Sequence, residues 1–201
     1  MKKLLTIILS ITIILTSLTV NAVAHETPLS NNPLYTIVGL LHHNAHFKYN
    51  DEIVLWGKEE SKDEKGDTNV KIYFGTSAEK SRKSKNNFIV LKFYGDKYNE
   101  KLDYAYIALL NIADDPNKEE RLHKGHISFS LLCHTIGMEP MERYELWDQL
   151  SNYDPSTDRN FSKKGKVFYQ HCPSINGDVF LAFDTVEDKT GLLFILGRAT
   201  D

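Results

Sequence analysis

Cysteine is almost missing from this chain: 201 residues carry two, Cys133 and Cys172, which leaves room for one disulfide at most. A positive excess is missing as well, since 24 Lys and Arg stand against 27 Asp and Glu, giving a formal charge of −3. A mildly acidic chain does not hold nucleic acid by its net field, so nucleic acid is not an expected partner. The eleven glycines are dispersed, and none forms a G-x-G-x-x-G or Walker pattern, so no phosphate-cradling turn is present. No Gly-x-Ser-x-Gly elbow frames a serine, no His-Glu-x-x-His zinc-hydrolase motif occurs, and no run of acids has the spacing of a calcium loop. Internal repeats and low-complexity linkers are also absent.

What is present begins at the first residue. Lys2 and Lys3 form a short positive region, Leu4 to Leu18 is an almost unbroken apolar run, and Ala22-Val23-Ala24 is a small-x-small cleavage site. This is the pattern of a secretory signal peptide over residues 1–24. Leu4 to Ala24 is also just long enough to span a bilayer as an uncleaved anchor, but the Ala-Val-Ala site favours removal. Removal takes away two lysines and no acid. It leaves residues 25–201 as one globular domain of formal charge −5, with no stable membrane anchor. The short Lys-Lys leader and the Lys-, Asn- and Ile-rich composition point to a bacterial periplasmic or secreted protein. In that oxidising setting Cys133 and Cys172 are expected to pair, closing a loop of about 40 residues and stabilising the fold by roughly 3–4 kcal/mol. Asn160-Phe161-Ser162 is a glycosylation sequon, meaningful only in a eukaryotic source.

Periodicity predicts the elements. Leu34, Ile37, Val38, Leu41 and Ala45 fall at helical spacing, with Asn32 as N-cap and Pro33 at the first helical position. The β-branched Thr36, Ile37 and Val38 allow a strand there instead. Four β-rich runs follow at 51–57, 69–75, 87–95 and 103–112, with connections short enough to favour an antiparallel meander. Asp115-Pro116 opens a helix ending at Gly137, weakened by Gly125, and Glu139-Pro140 opens a second, carrying Met141, Tyr144, Leu146, Trp147 and Leu150. A polar loop over 151–165 leads to a strand at 167–171, and a hairpin joins 179–185 to 192–198 across Glu187-Asp188-Lys189-Thr190-Gly191. Strands, then helices, then strands without a βαβ rhythm predict an α+β domain. It would be an antiparallel sheet packed with two or three helices and stapled by one disulfide. The charged runs 59–67 and 80–85 read as solvated turns.

Chemistry is sparse. His42 and His46 are i and i+4 on a helix, with His43 between them, and neutral imidazoles at that spacing could hold copper or zinc. Bare His pairs also bind such ions adventitiously. Cleavage after Ala24 would leave His25 first. A free α-amino group beside its own imidazole resembles the histidine brace of secreted copper monooxygenases and of some periplasmic copper carriers. That resemblance covers one residue and implies Cu(II) at His25. Cys133-His134 and His171-Cys172 are sequence neighbours whose side chains diverge, so adjacency makes no Cys–His dyad. Ser130 lies four residues from both His126 and His134, which aligns the three on one helical stripe and keeps a small secreted hydrolase as an alternative. Tyr94, Tyr98 and Tyr153 lie near strand ends and loops, where tyrosines serve as interface anchors. The expected function is an exported, non-catalytic protein-binding domain without a cofactor, of the inhibitor or immunity type. Its partner would be another protein, such as a toxin or enzyme. A histidine-based copper or zinc protein stands second.

Overall fold

The computed structural model describes residues 28–81, 83–96, 99–152, 165–186 and 188–198. The expected signal peptide over residues 1–24, His25, Tyr98, Tyr153 and the Asn160 sequon lie outside them. Helix α1 spans Leu34–Phe47, and Leu34, Ile37, Leu41 and Ala45 are buried at the anticipated spacing. It begins one residue later than expected: Pro33 itself is the extended N-cap, and its carbonyl accepts from Thr36 and Ile37 N–H. The helical period outweighs the β-branched cluster because Ile37 and Leu41 bury completely in the main core.

The sheet has seven strands, all antiparallel, in the order β1-β2-β3-β4-β7-β6-β5. Strands β1 (Val54–Lys62), β2 (Thr68–Gly75), β3 (Asn87–Tyr94) and β4 (Lys101–Leu110) form the anticipated meander. Strands β5 (Gly165–Cys172), β6 (Gly177–Val186) and β7 (Lys189–Arg198) form a second one, reversed, and β7 closes against β4. The short helix α2 (Ser77–Ser81) sits between β2 and β3. Between β4 and β5 come α3 (Lys118–Ile136) and α4 (Pro140–Asn152). The class is α+β, as the order of elements predicted. None of the helices among the described residues is long and apolar enough to cross a membrane.

Three expectations need correction. Strand β1 runs through Glu59, Glu60, Ser61 and Lys62, which had read as a turn. Gly57, at φ +57°, makes a bulge that carries the strand past its glycine, and Glu59 then sits opposite Lys71. Charged residues suit this position because β1 is an edge strand. Gly125 is a packing requirement rather than a weakness: a Cβ there would lie 2.7 Å from Leu109 and 3.3 Å from Phe194, so its absence lets α3 settle onto β4 and β7. The disulfide is not formed. Cys133 and Cys172 are free, buried thiols that pack in the main core as small apolar side chains. Burial raises both thiol pKa values, that of Cys172 up to about 12 with Glu142 and Asp178 adding to the effect. Neither thiol therefore carries the thiolate needed for reactivity.

The main core lies between the helices and one face of the sheet, with Phe74, Phe93, Phe129 and Phe194 among its largest fully buried side chains. Each such ring contributes about 2–3 kcal/mol on leaving water. The alternate residues build a smaller cluster on the opposite face: Tyr73, Phe88, Val90, Ala108, Leu110 and Leu193. Cations lie over its rings and those nearby. Lys71 Nζ is 4.5 Å from the Phe88 centroid, and Lys85 Nζ is 5.1 Å from that of Tyr73. Carboxylates neutralise this side: Lys85 pairs with Glu59 at 2.8 Å, Lys92 with Asp63 at 2.8 Å, and Arg198 with Asp103.

Candidate functional site

Helix α3 carries two half-buried histidines, His126 and His134, and its two ends are built differently. At its N-terminal end Arg121 is buried and donates throughout. Its Nη1 reaches Asp115 at 2.6 Å, its Nη2 reaches Asn87 Oδ1 at 2.6 Å and the Leu110 carbonyl at 2.8 Å, and its Nε reaches Asn87 Oδ1 at 3.1 Å. One guanidinium thus ties the start of α3 to the start of β3 and the end of β4. Two turns into the helix, His126 lies edge-on between Phe194 and Trp147, at centroid distances of 5.5 and 5.9 Å. Burial, and secondarily His123, lowers its pKa to about 4, so the ring is neutral.

The C-terminal end collects positive charge. Gly137, at φ +94°, stops α3 in the left-handed conformation expected of a helix-ending glycine. Asn44 on α1 donates to Thr135 Oγ1 at 3.2 Å, and the Tyr49 hydroxyl is 2.9 Å from Ser130 Oγ. These contacts draw the end of α1 onto the end of α3 and put Lys48 Nζ 2.9 Å from His134 Nε2. From α4, Arg143 donates through Nε to the Met138 carbonyl at 3.1 Å and sets Nη1 2.7 Å from His134 Nδ1. Helix α4 is fixed in turn by Ser174, which accepts from Glu139 N–H at 3.1 Å and donates to Glu142. Burial, then Arg143, then Lys48 hold the His134 pKa below the ordinary imidazole value. A neutral imidazole offers one N–H and one lone pair, so it cannot accept from two cations at once.

Large apolar side chains stand beside these cations. Phe47, immediately before Lys48, is 66% exposed, and Tyr144, immediately after Arg143, is 69% exposed. Met141, one turn earlier on the same face of α4, is 70% exposed. Helix α4 thus buries Leu146 and Leu150 and turns Met141 and Tyr144 outward.

The other candidates are dispersed. His42, His43 and His46 lie exposed on α1, and among the described residues no three His, Cys, Asp or Glu side chains are grouped to hold a metal. His46 Nδ1 is 2.7 Å from Asp51 Oδ2, and the His43 and His46 rings pack on Phe47 at 4.6 and 4.5 Å. Partial burial, with Lys80 nearby, lowers the His42 pKa. Ser130 has Tyr49 as its partner rather than a histidine, and His171 pairs with Asp178 at 2.8 Å on β5–β6. The groove between α3 and α4, lined by Ser130, Cys133, Arg143 and Trp147 among others, encloses about 10 Å³. That is barely one water, not a substrate cavity. Tyr94 lies under the Arg198 guanidinium, 5.3 Å from ring centroid to Cζ.

Sequence reasoning missed Lys48, Arg143, Phe47 and Met141. A signal was available in Phe47-Lys48 and Arg143-Tyr144, where a cation adjoins a large apolar residue at a helix end, though such pairs are common. Comparison with protein-family models, with curated proteins and with solved structures finds no match for this chain.

Proposed function

We propose that this chain is an exported protein-binding domain whose contact surface is the end of the helix layer where α1, α3 and α4 meet. One observation carries the reading: the four exposed large apolar side chains among the described residues, Tyr35, Phe47, Met141 and Tyr144, all lie on α1 and α4, and three of them are within two residues in the chain of Lys48 or Arg143, the cations that meet at His134. Aromatic residues, methionine and arginine are the side chains enriched at protein interfaces, and apolar anchors ringed by polar groups are their usual form. A surface tyrosine offers large area and loses few rotamers on docking. The acidic net charge of the chain favours a protein partner over a nucleic acid. The apolar leader over residues 1–24 supports the export part of the reading.

Photo-cross-linking in the producing cell tests this. A photoreactive side chain at position 47 or 144 of the full chain is expected to give one discrete adduct, and the same group at Glu64, exposed in the β1–β2 turn, is expected to give none. Adducts equally abundant from position 64, or none from 47 and 144, contradict the reading.

A further inference from the structure

We infer that Lys48, His134 and Arg143 form a binding site for a carboxylate, supplied by an acidic segment of the partner protein. The inference rests on the protein-binding reading and names the chemistry of what binds. Its ground is an imbalance. Lys48 Nζ and Arg143 Nη1 lie 2.9 and 2.7 Å from the two nitrogens of one imidazole, which can accept from only one of them. No carboxylate among the described residues pairs with either cation. Glu142, next to Arg143, is bound to Ser174 instead. Other cations held close against the fold have a carboxylate, as Arg121 has Asp115, Lys92 has Asp63 and Asp67, and Arg198 has Asp103, while Lys62 and Lys124 each meet a single backbone carbonyl. In a chain with more acids than bases, two cations left facing each other across a ring stand out.

The competing account is that both cations merely complement the C-terminal end of the α3 dipole, which favours positive charge by about 0.3–1 kcal/mol per group. That accounts for Arg143 donating to the Met138 carbonyl. It does not account for Lys48 and Arg143 converging on the same ring, where each raises the electrostatic energy of the other. A carboxylate at the rim would accept from both cations and free His134 to donate or accept singly. Charge-assisted bonds of this kind are about twice as strong as neutral ones, and arginine takes carboxylates in a two-pronged geometry. The exposed Phe47, Met141 and Tyr144 beside the cations supply apolar contacts that a free anion would not use. A peptide carboxylate therefore fits this surface better than inorganic phosphate.

The test titrates the processed chain with a hexaglutamate peptide and, separately, with inorganic phosphate, reading the His134 ring resonances by NMR. The peptide is expected to shift them saturably and to bind at least tenfold more tightly than phosphate. Lys48→Gln and Arg143→Gln are each expected to weaken the peptide tenfold or more, with His126 resonances unmoved as the sign of an intact fold. Lys58→Gln, on the Glu60-paired lysine of β1, is expected to leave binding unchanged. Phosphate binding as tight as peptide binding, an unmoved His134, or equal weakening by Lys58→Gln overturns the inference. Cross-linking from position 144 that persists undiminished in the Arg143→Gln chain overturns the carboxylate assignment while the protein-binding reading stands.

Discussion

Two arginines mark the two ends of α3, and they use the same chemistry to opposite effect. Arg121 is buried and meets a carboxylate, an amide oxygen and two backbone carbonyls, so its charge and its donors are spent inside the fold. Arg143 is half-buried, meets one carbonyl, and otherwise points at a ring that a lysine approaches from the far side. A satisfied buried cation holds elements in register, and removing it strands its partners. A cation left facing another cation adds little to stability and remains available to a ligand.

The largest expected effect breaks the first arrangement. Arg121→Ala leaves Asp115, Asn87 and the Leu110 carbonyl without their donor. It should cost about 3–5 kcal/mol, seen as a lower urea midpoint with an unchanged slope. Loss under about 1 kcal/mol would mean that the network is not what joins α3 to β3 and β4.

Next comes the acid response of the neutral histidine between them. The folded pKa of His126, about 4, lies below the ordinary 6.5, so the unfolded chain binds the extra proton. Stability from this group is complete above pH 6.5, falls as the pH drops through that window, and is gone near pH 4. The total is on the order of 3 kcal/mol. Denaturation midpoints between pH 7 and 4 should show this limb, and His126→Phe should flatten it. An unchanged slope in that variant would assign the acid response to other groups. Asp115 titrates below this range. Burial raises its pKa, but the Asn117 N–H and Arg121 outweigh it, so its contribution is present at neutral pH and fades only as the pH falls below the ordinary aspartate value.

The smallest effects on stability are expected at the other end. Tyr144→Ser and Phe47→Ser remove exposed side chains and should change stability by no more than about 0.5 kcal/mol, while abolishing the cross-linked adduct. Thermal melts check the first part and the adduct yield checks the second. A large loss of stability would show that these rings pack in the fold rather than face a partner.

Periodicity made the helices readable because Ile37 and Leu41 on α1, and Phe129 and Leu132 on α3, recur where a core-facing stripe requires them. The meander was readable from its short turns. Strand β1 beyond Gly57 was not, because a glycine followed by charged residues reads as a turn unless the bulge and the Lys71 partner are known. The fate of the cysteines is not legible, because an oxidising compartment permits a bond without dictating one, and Cys133 and Cys172 each serve as core apolar residues. The site itself was hidden for a geometric reason. Lys48 is 86 residues from His134 in sequence and reaches it only because Asn44–Thr135 and Tyr49–Ser130 hold α1 against α3. His134 could be singled out from its neighbours in the chain, but the cations that define its environment could not.

Urea denaturation and NMR titration of the Lys48→Gln/Arg143→Gln double variant, read for stability and for the His134 pKa, decide whether the two cations oppose each other or hold the fold together. If the two cations oppose each other, the double variant unfolds at the wild-type midpoint or above it, and the His134 pKa moves up toward the ordinary imidazole value. A loss of more than about 1 kcal/mol, with the His134 pKa unmoved, would show instead that Lys48 and Arg143 hold the end of α3 together as Arg121 holds its beginning.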